Sequence, residues 1–212
     1  MNPSVFCSKI PELAIPGFLN LMQGTSVQLK TTRHRSSKSG DFRAAHNSDP
    51  ARITVNDNLN PYAFLVTFVH EMAHYQTWMD YQQVKQTFTI RRHPLPQPHG
   101  NEWKNNFRQL MRPFLSEKVF PENLLPILCR YLENPKASTS ADKPLALALQ
   151  KYDPAGPAIR LEELPPDAIF SLHGNGKRMF RKKEKLRTRY RCICMKTNRI
   201  YLVSGNAPVM PL

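Results

Sequence analysis

The chain has 212 residues, enough for one medium domain or a domain with a small appendage, and its 41% apolar content is enough for a real core. Lys and Arg number 30 against 16 Asp and Glu, and the net charge of +14 favours a polyanionic partner. No run approaches the ~18 consecutive apolar residues of a membrane helix. The start, MNPSVFCSKIPEL, lacks the basic and apolar regions of a secretory signal. Four cysteines (Cys7, Cys129, Cys192 and Cys194) without regular spacing exclude a disulfide scaffold, so a cytoplasmic protein is expected.

In chain order, residues 10–22 read as a short helix interrupted by Pro16 and stopped by Gly24. Ser26–Arg33 alternates as a strand, Asp41–Ala45 is a candidate second strand, and Arg52–Asn56 is β-branched and alternating. Asn60-Pro61 opens the longest helix, since Asn caps well and Pro is favoured at the first helical position. That helix is expected to run from Tyr62 to about Tyr81, apolar on almost every side and therefore buried. A Pro-rich connection over Phe88–Pro98 leads to a helix carrying Trp103, Phe107, Leu110, Met111 and Phe114, ended or kinked by Pro113. Helices over Pro121–Leu132 and Lys143–Tyr152 follow, separated by the loop Asn134–Ala141. Asp153–Pro166 holds four prolines and reads as a linker. Beyond it, Ala168–Leu172, Met179–Phe180, Thr188–Met195 and Arg199–Val203 read as strands of a small antiparallel module, loosely barrel-like.

The chemistry concentrates in His70-Glu71-Met72-Ala73-His74. On a helix, His70 and His74 are i and i+4 and project from one face, where both can grip one metal ion. Polar residues inside an apolar helix need partners, and a metal would satisfy both histidines. Catalytic zinc takes three protein ligands and leaves one position open. His99 is the chosen third ligand. His93 is its rival, and Glu102 is the alternative in an all-α variant of such a site. Glu71 sits where a carboxylate can take a proton from water, so it is the expected catalytic base; a structural carboxylate is the other reading. Trp103 reads as packing.

Residues 173–201 carry eleven Lys or Arg against one acid, Glu184, and hold +10 of the chain's charge. Arg178, Arg181, Lys182, Lys183, Lys185, Arg187, Arg189 and Arg191 are the candidate DNA-binding residues. Phe180, Tyr190 and Tyr201 are candidates for base stacking or for module core. Cys192 and Cys194 would share one strand face; His173 is the nearest further ligand to a C-x-C that is too small for a structural zinc site.

His70–His74 together with His99-Gly100-Asn101-Glu102-Trp103-Lys104 resembles the SprT-like/Spartan metalloprotease family, whose pattern is H-E-x-x-H followed by H-G-x-x-W-K. The similarity also takes in Asn60–Phe64 and Phe180–Val203. The resemblance implies an α+β, zincin-like core with one catalytic Zn2+ on His70, His74 and His99. It also implies a strand edge that receives the substrate peptide as an extra strand, and Arg52–Asn56 would be that edge here. Spartan-type members are DNA-dependent proteases that remove proteins crosslinked to DNA. Many SprT-like proteins end in a zinc ribbon, and this chain carries C-x-C in its place, a degenerate ribbon expected to be metal-free. The combined expectation is a zincin-like metallopeptidase domain over residues 1–152, a linker over 153–166 and a basic β module over 167–212. The alternative is a nucleic-acid-binding protein with a structural or vestigial zinc and no protease activity.

Overall fold

A computed structural model of the chain describes residues 4–35, 38–87, 94–153, 159–172 and 175–212. It is a mixed α+β structure that divides into two compact units, Met1–Tyr152 and Asp153–Leu212, each with its own apolar core.

The first unit opens with helices α1 (Ser4–Cys7) and α2 (Ile15–Met22). Pro16 lies in the first turn of α2 and starts that helix instead of interrupting it, because the missing N–H is one no helix uses there. Strands β1 (Gln28–Thr32), β2 (Gly40–Arg43) and β3 (Arg52–Asn56) form a sheet in the order β1-β3-β2, with β3 parallel to β1 and antiparallel to β2. The expectation that Arg52–Asn56 is an edge strand is therefore wrong: β3 is central. Ile53, Thr54, Val55 and Asn56 are all buried, which requires a neighbour on each side to take the backbone hydrogen bonds. Among the described residues the free edges belong to β1 and β2.

Helix α3 runs from Pro61 to Thr87, past the expected end near Tyr81, since no Gly or Pro stops it. Its start is built as the sequence implies. Asn60 Oδ1 accepts the Ala63 N–H at 2.9 Å, and Asn60 Nδ2 donates to the Leu149 carbonyl at 2.9 Å. Every residue from Phe64 to Ala73 is buried. Helix α4 (Asn101–Met111) packs along α3 and passes into a 3-10 turn at Arg112–Phe114, where Pro113 ends it. Helices α5 (Leu125–Glu133) and α6 (Lys143–Gln150) complete this unit, α6 being capped by the Asp142 carboxylate.

The second unit is one antiparallel sheet in the order β7-β6-β5-β4-β8: β4 (Ile169–Leu172), β5 (Asn175–Lys185), β6 (Arg189–Cys194), β7 (Ile200–Ser204) and β8 (Val209–Pro211). It is an open sheet, not a barrel: among the described residues β7 and β8 are edges that do not pair with each other. Phe170, Phe180, Tyr190, Cys192, Cys194 and Val209 face its core with Leu161 and Leu164. Those two leucines fall in the stretch read as linker. From Ile159 onward that stretch is part of the second unit, because leucines at these positions close the core.

Candidate metal centre

Three imidazoles converge in the first unit. His70 and His74 come from one face of α3, and His99 comes from the turn before α4. His74 Nε2 lies 3.0 Å from His99 Nε2, and His99 Nε2 lies 3.2 Å from His70 Nε2. A tetrahedral zinc with Zn–N bonds of ~2.0–2.1 Å places its nitrogens ~3.3 Å apart. Both separations are close to that spacing, so the three ring nitrogens could hold one ion between them. Among the described residues this is the one group of three or more His, Cys, Asp or Glu side chains so arranged. His93, the rival ligand, lies outside the described residues. Glu102 is in the first turn of α4 and outside the cluster.

The backbone is bent to deliver His99. Its φ of +58° is in the left-handed region, rare for a residue with a side chain and often found at functional sites. The Gly100 N–H closes the turn onto the Gln97 carbonyl at 2.8 Å. A Cβ on Gly100 would come within 3.0 Å of that same carbonyl oxygen, so the glycine permits the turn. Trp103 then walls the site. Its ring centroid is 4.6 Å from those of His70 and His99 and 5.3 Å from that of His74, and its Nε1 donates to the His70 carbonyl at 3.3 Å.

Burial sets the protonation. It drives His70 down to about 3 and His74 to about 4, with neighbouring imidazoles adding to the shift. His99 is lowered by burial too. All three rings are neutral at pH 7, the form that binds metal.

Glu71 is 7% exposed and points to the strand β2. Burial first, and the nearby Asp41 charge second, raise it to about 8; a hydrogen bond from the Phe42 backbone and the charges of Lys38 and Arg35 act the other way. Asp41 is held below the ordinary carboxylate value. Burial opposes its ionisation, but hydrogen bonds and charge from Lys38 (2.7 Å) and Arg43 (3.2 Å) prevail. A Cβ on Gly40 would sit 2.5 Å from Glu71 Oε1 and 2.8 Å from Thr67 Cγ2, so only glycine lets β2 lie this close to α3.

Residues 35–42 were not among the sequence-derived site residues. The sole local signal was a glycine beside a strand, which marks close approach without saying to what.

The basic candidates in the second unit divide by face. Arg178, Lys185, Arg187, Arg189 and Arg191 are exposed, and Arg181 and Lys183 are half-buried. Arg189 and Arg191 alternate with Tyr190 and Cys192, so they lie on the sheet face away from the core. Lys183 pairs with Asp167, and Arg191 pairs with Glu184 at 3.0 Å. Lys182 does not belong with them. It is 4% exposed, bonds the Leu164 carbonyl, and holds its ammonium 4.3 Å above the Tyr190 ring. Strand alternation turned it inward. Phe180 and Tyr190 are core residues and Tyr201 packs on that core, so none is a stacking platform for bases. Cys192 and Cys194 share the buried face as expected, and no third ligand joins them among the described residues; His173 lies outside these.

No helix among the described residues is long and apolar enough to cross a membrane. No family model, curated protein or solved structure matches this chain.

Proposed function

We propose that the protein is a zinc-dependent metallopeptidase of the SprT-like kind, acting on proteins associated with or crosslinked to DNA. The observation that carries the reading is the convergence of His70, His74 and His99 Nε2 beside the buried Glu71.

The donor set suits zinc: three neutral imidazoles and, among the described residues, no further His, Cys, Asp or Glu joining them. Bound there, zinc would supply Lewis acidity towards a carbonyl and a water acidified to near neutral pH. Glu71 takes the proton from the attacking water and delivers it to the departing amine. Its elevated pKa suits both directions of transfer near neutrality. The Phe42 backbone N–H and the absent side chain of Gly40 fix where that carboxylate stands.

The edge available to an incoming peptide is β2, which among the described residues pairs with β3 alone and which lies against Glu71. A substrate strand paired there would run past the three histidines. The outward arginines of the second unit, Arg181, Arg187, Arg189 and Arg191, are the contacts we assign to DNA phosphates.

The test is cleavage of a protein covalently attached to DNA, by wild type and Glu71→Gln, with and without free DNA and with zinc content measured on both. Cleavage by the wild type alone, stimulated by DNA, is expected. Equal cleavage by both proteins, or none by a preparation holding one zinc per chain, would overturn the reading. In the last case, tight salt-sensitive DNA binding would leave the nucleic-acid-binding alternative.

A further inference from the structure

Among the described residues, Arg35 beside the site has no anionic partner. Arg35 precedes β2, and its charge reaches Glu71. Its guanidinium is held from one side: Nε donates to Asn56 Oδ1 at 2.9 Å, and Asn56 Nδ2 returns hydrogen bonds to the backbone carbonyls of Arg35 at 3.2 Å and Lys38 at 2.9 Å. Asn56 is itself buried at the end of β3, where Thr32 Oγ1 donates a second hydrogen bond to its Oδ1 at 3.2 Å. The base of the side chain is therefore fixed by the sheet. Its other end is not satisfied. Arg35 Nη2 is buried and has no hydrogen-bond partner among the described residues.

A buried donor without an acceptor is costly, and more so on a charged group. The partners at hand do not discharge it. Asn56 is neutral. Asp41 is engaged by Lys38 and Arg43. Arg33, Arg35, Lys38 and Arg43 face the single acid Asp41 over residues 33–43, so this side of the site keeps a positive excess. Guanidinium is the side chain whose fork matches a carboxylate.

We propose that Arg35 is a substrate-binding residue whose half-buried guanidinium, held through Nε by the Asn56 clamp, receives a carboxylate of the bound peptide on its accessible side. The proposal rests on the peptidase reading of this site. The carboxylate has two sources, an acidic side chain near the scissile bond or the free C-terminus of a short substrate. The chemistry is the same, and the assay separates them.

The experiment uses the full-length, zinc-loaded chain and matched fluorescent peptides that differ in Glu against Gln at successive positions, and in free acid against amide at the C-terminus. Affinity is read by anisotropy on Glu71→Gln, where nothing is hydrolysed, and kcat/KM is read on the wild type. The acidic or free-acid peptide is expected to bind at least ~10-fold more tightly, the equivalent of one charge-assisted hydrogen bond. Arg35→Gln on each background should abolish that preference while binding the Gln or amide peptide as before. Arg35→Lys should restore part of it.

No preference in the unsubstituted protein overturns the proposal. So does an Arg35→Gln variant that weakens both peptides of a pair equally, since that is the signature of a merely structural arginine. Loss of oligonucleotide binding with the peptide preference unchanged overturns it too, in favour of a phosphate contact. If Arg35→Gln does not fold, Arg35→Lys carries the comparison: a weakened preference supports the assignment and an unchanged one overturns it. An Arg35-dependent preference in binding without hydrolysis of any substrate would sink the peptidase reading and leave this one standing.

Discussion

In the proposed reading Glu71 has two tasks that conflict, to be buried beside apolar side chains and to exchange protons with water. Replacement by Gln keeps the shape and removes the exchange. A loss of roughly 10²–10⁴-fold in kcat is expected, the usual worth of a general base, with zinc content unchanged. The same substitution should stabilise the metal-free protein. In the folded chain Glu71 is raised to about 8 from an ordinary value of 4.5. The stability tied to its protonated form is complete below pH ~4.5 and lost as pH rises through ~8. Gln carries no such loss, so Glu71→Gln should gain on the order of 4 kcal/mol at pH 8 and less than ~1 kcal/mol at pH 5. Urea denaturation with a chelator present measures both; equal gains at the two pH values would contradict the assignment. The histidines behave oppositely. His70 and His74, lowered to about 3 and about 4, favour the neutral ring on folding. The metal-free fold should weaken as pH falls below ~6.5, and protons should displace zinc only below about pH 5. Half-loss near pH 6.5 in equilibrium dialysis would mean the rings are solvated.

Local order explains why these residues could be read from the sequence and their neighbours could not. His70, Glu71 and His74 are fixed relative to one another by helix geometry alone, and Asn60 announces that helix by a contact three residues long. Gly40 and Asp41 meet Glu71 only because β2 pairs with β3 in a given register, and nothing within either segment encodes that. Strand order failed for the same reason. Arg52–Asn56 alternates like an edge strand, but its central place depends on β1 and β2 coming from elsewhere in the chain. Element-level tests follow. Gly40→Ala puts a methyl 2.5 Å from Glu71 Oε1 and 2.8 Å from Thr67 Cγ2. It should lower kcat at least ~10-fold with zinc retained, since a displaced base misplaces its proton. Unchanged kcat would show that β2 yields freely. Asn60→Ala removes the cap of α3 and leaves the Leu149 carbonyl without this donor. A cost of about 2 kcal/mol in urea is expected, and less than ~0.5 kcal/mol would contradict the account.

At the scale of the whole molecule, composition raises the expectation of a polyanionic partner but does not say which side chains face outward. A count of Lys and Arg cannot see that Lys182 caps backbone carbonyls over Tyr190 while Arg189 and Arg191 point away from the same core. Each unit closes its own core, Phe6 to Leu149 in the first and Leu161 to Val209 in the second. Separate folding is therefore expected when the chain is cut between Tyr152 and Asp153. The first fragment should keep one zinc and residual peptide cleavage, and the second should keep the DNA affinity proposed for it. Phosphate contacts release counterions, so log K should fall linearly with log salt at about 0.9 per contact. Arg181→Gln, Arg187→Gln, Arg189→Gln and Arg191→Gln together should reduce that slope by about 3 to 4. Lys182→Met should leave the slope unchanged, because its ammonium is spent on Leu164 and Tyr190. A slope that falls with Lys182→Met and holds with the four arginines replaced would place the nucleic acid on the opposite face of the sheet. DNA affinity found only in the fragment ending at Tyr152 would move the interface to the basic stretch that includes Arg35.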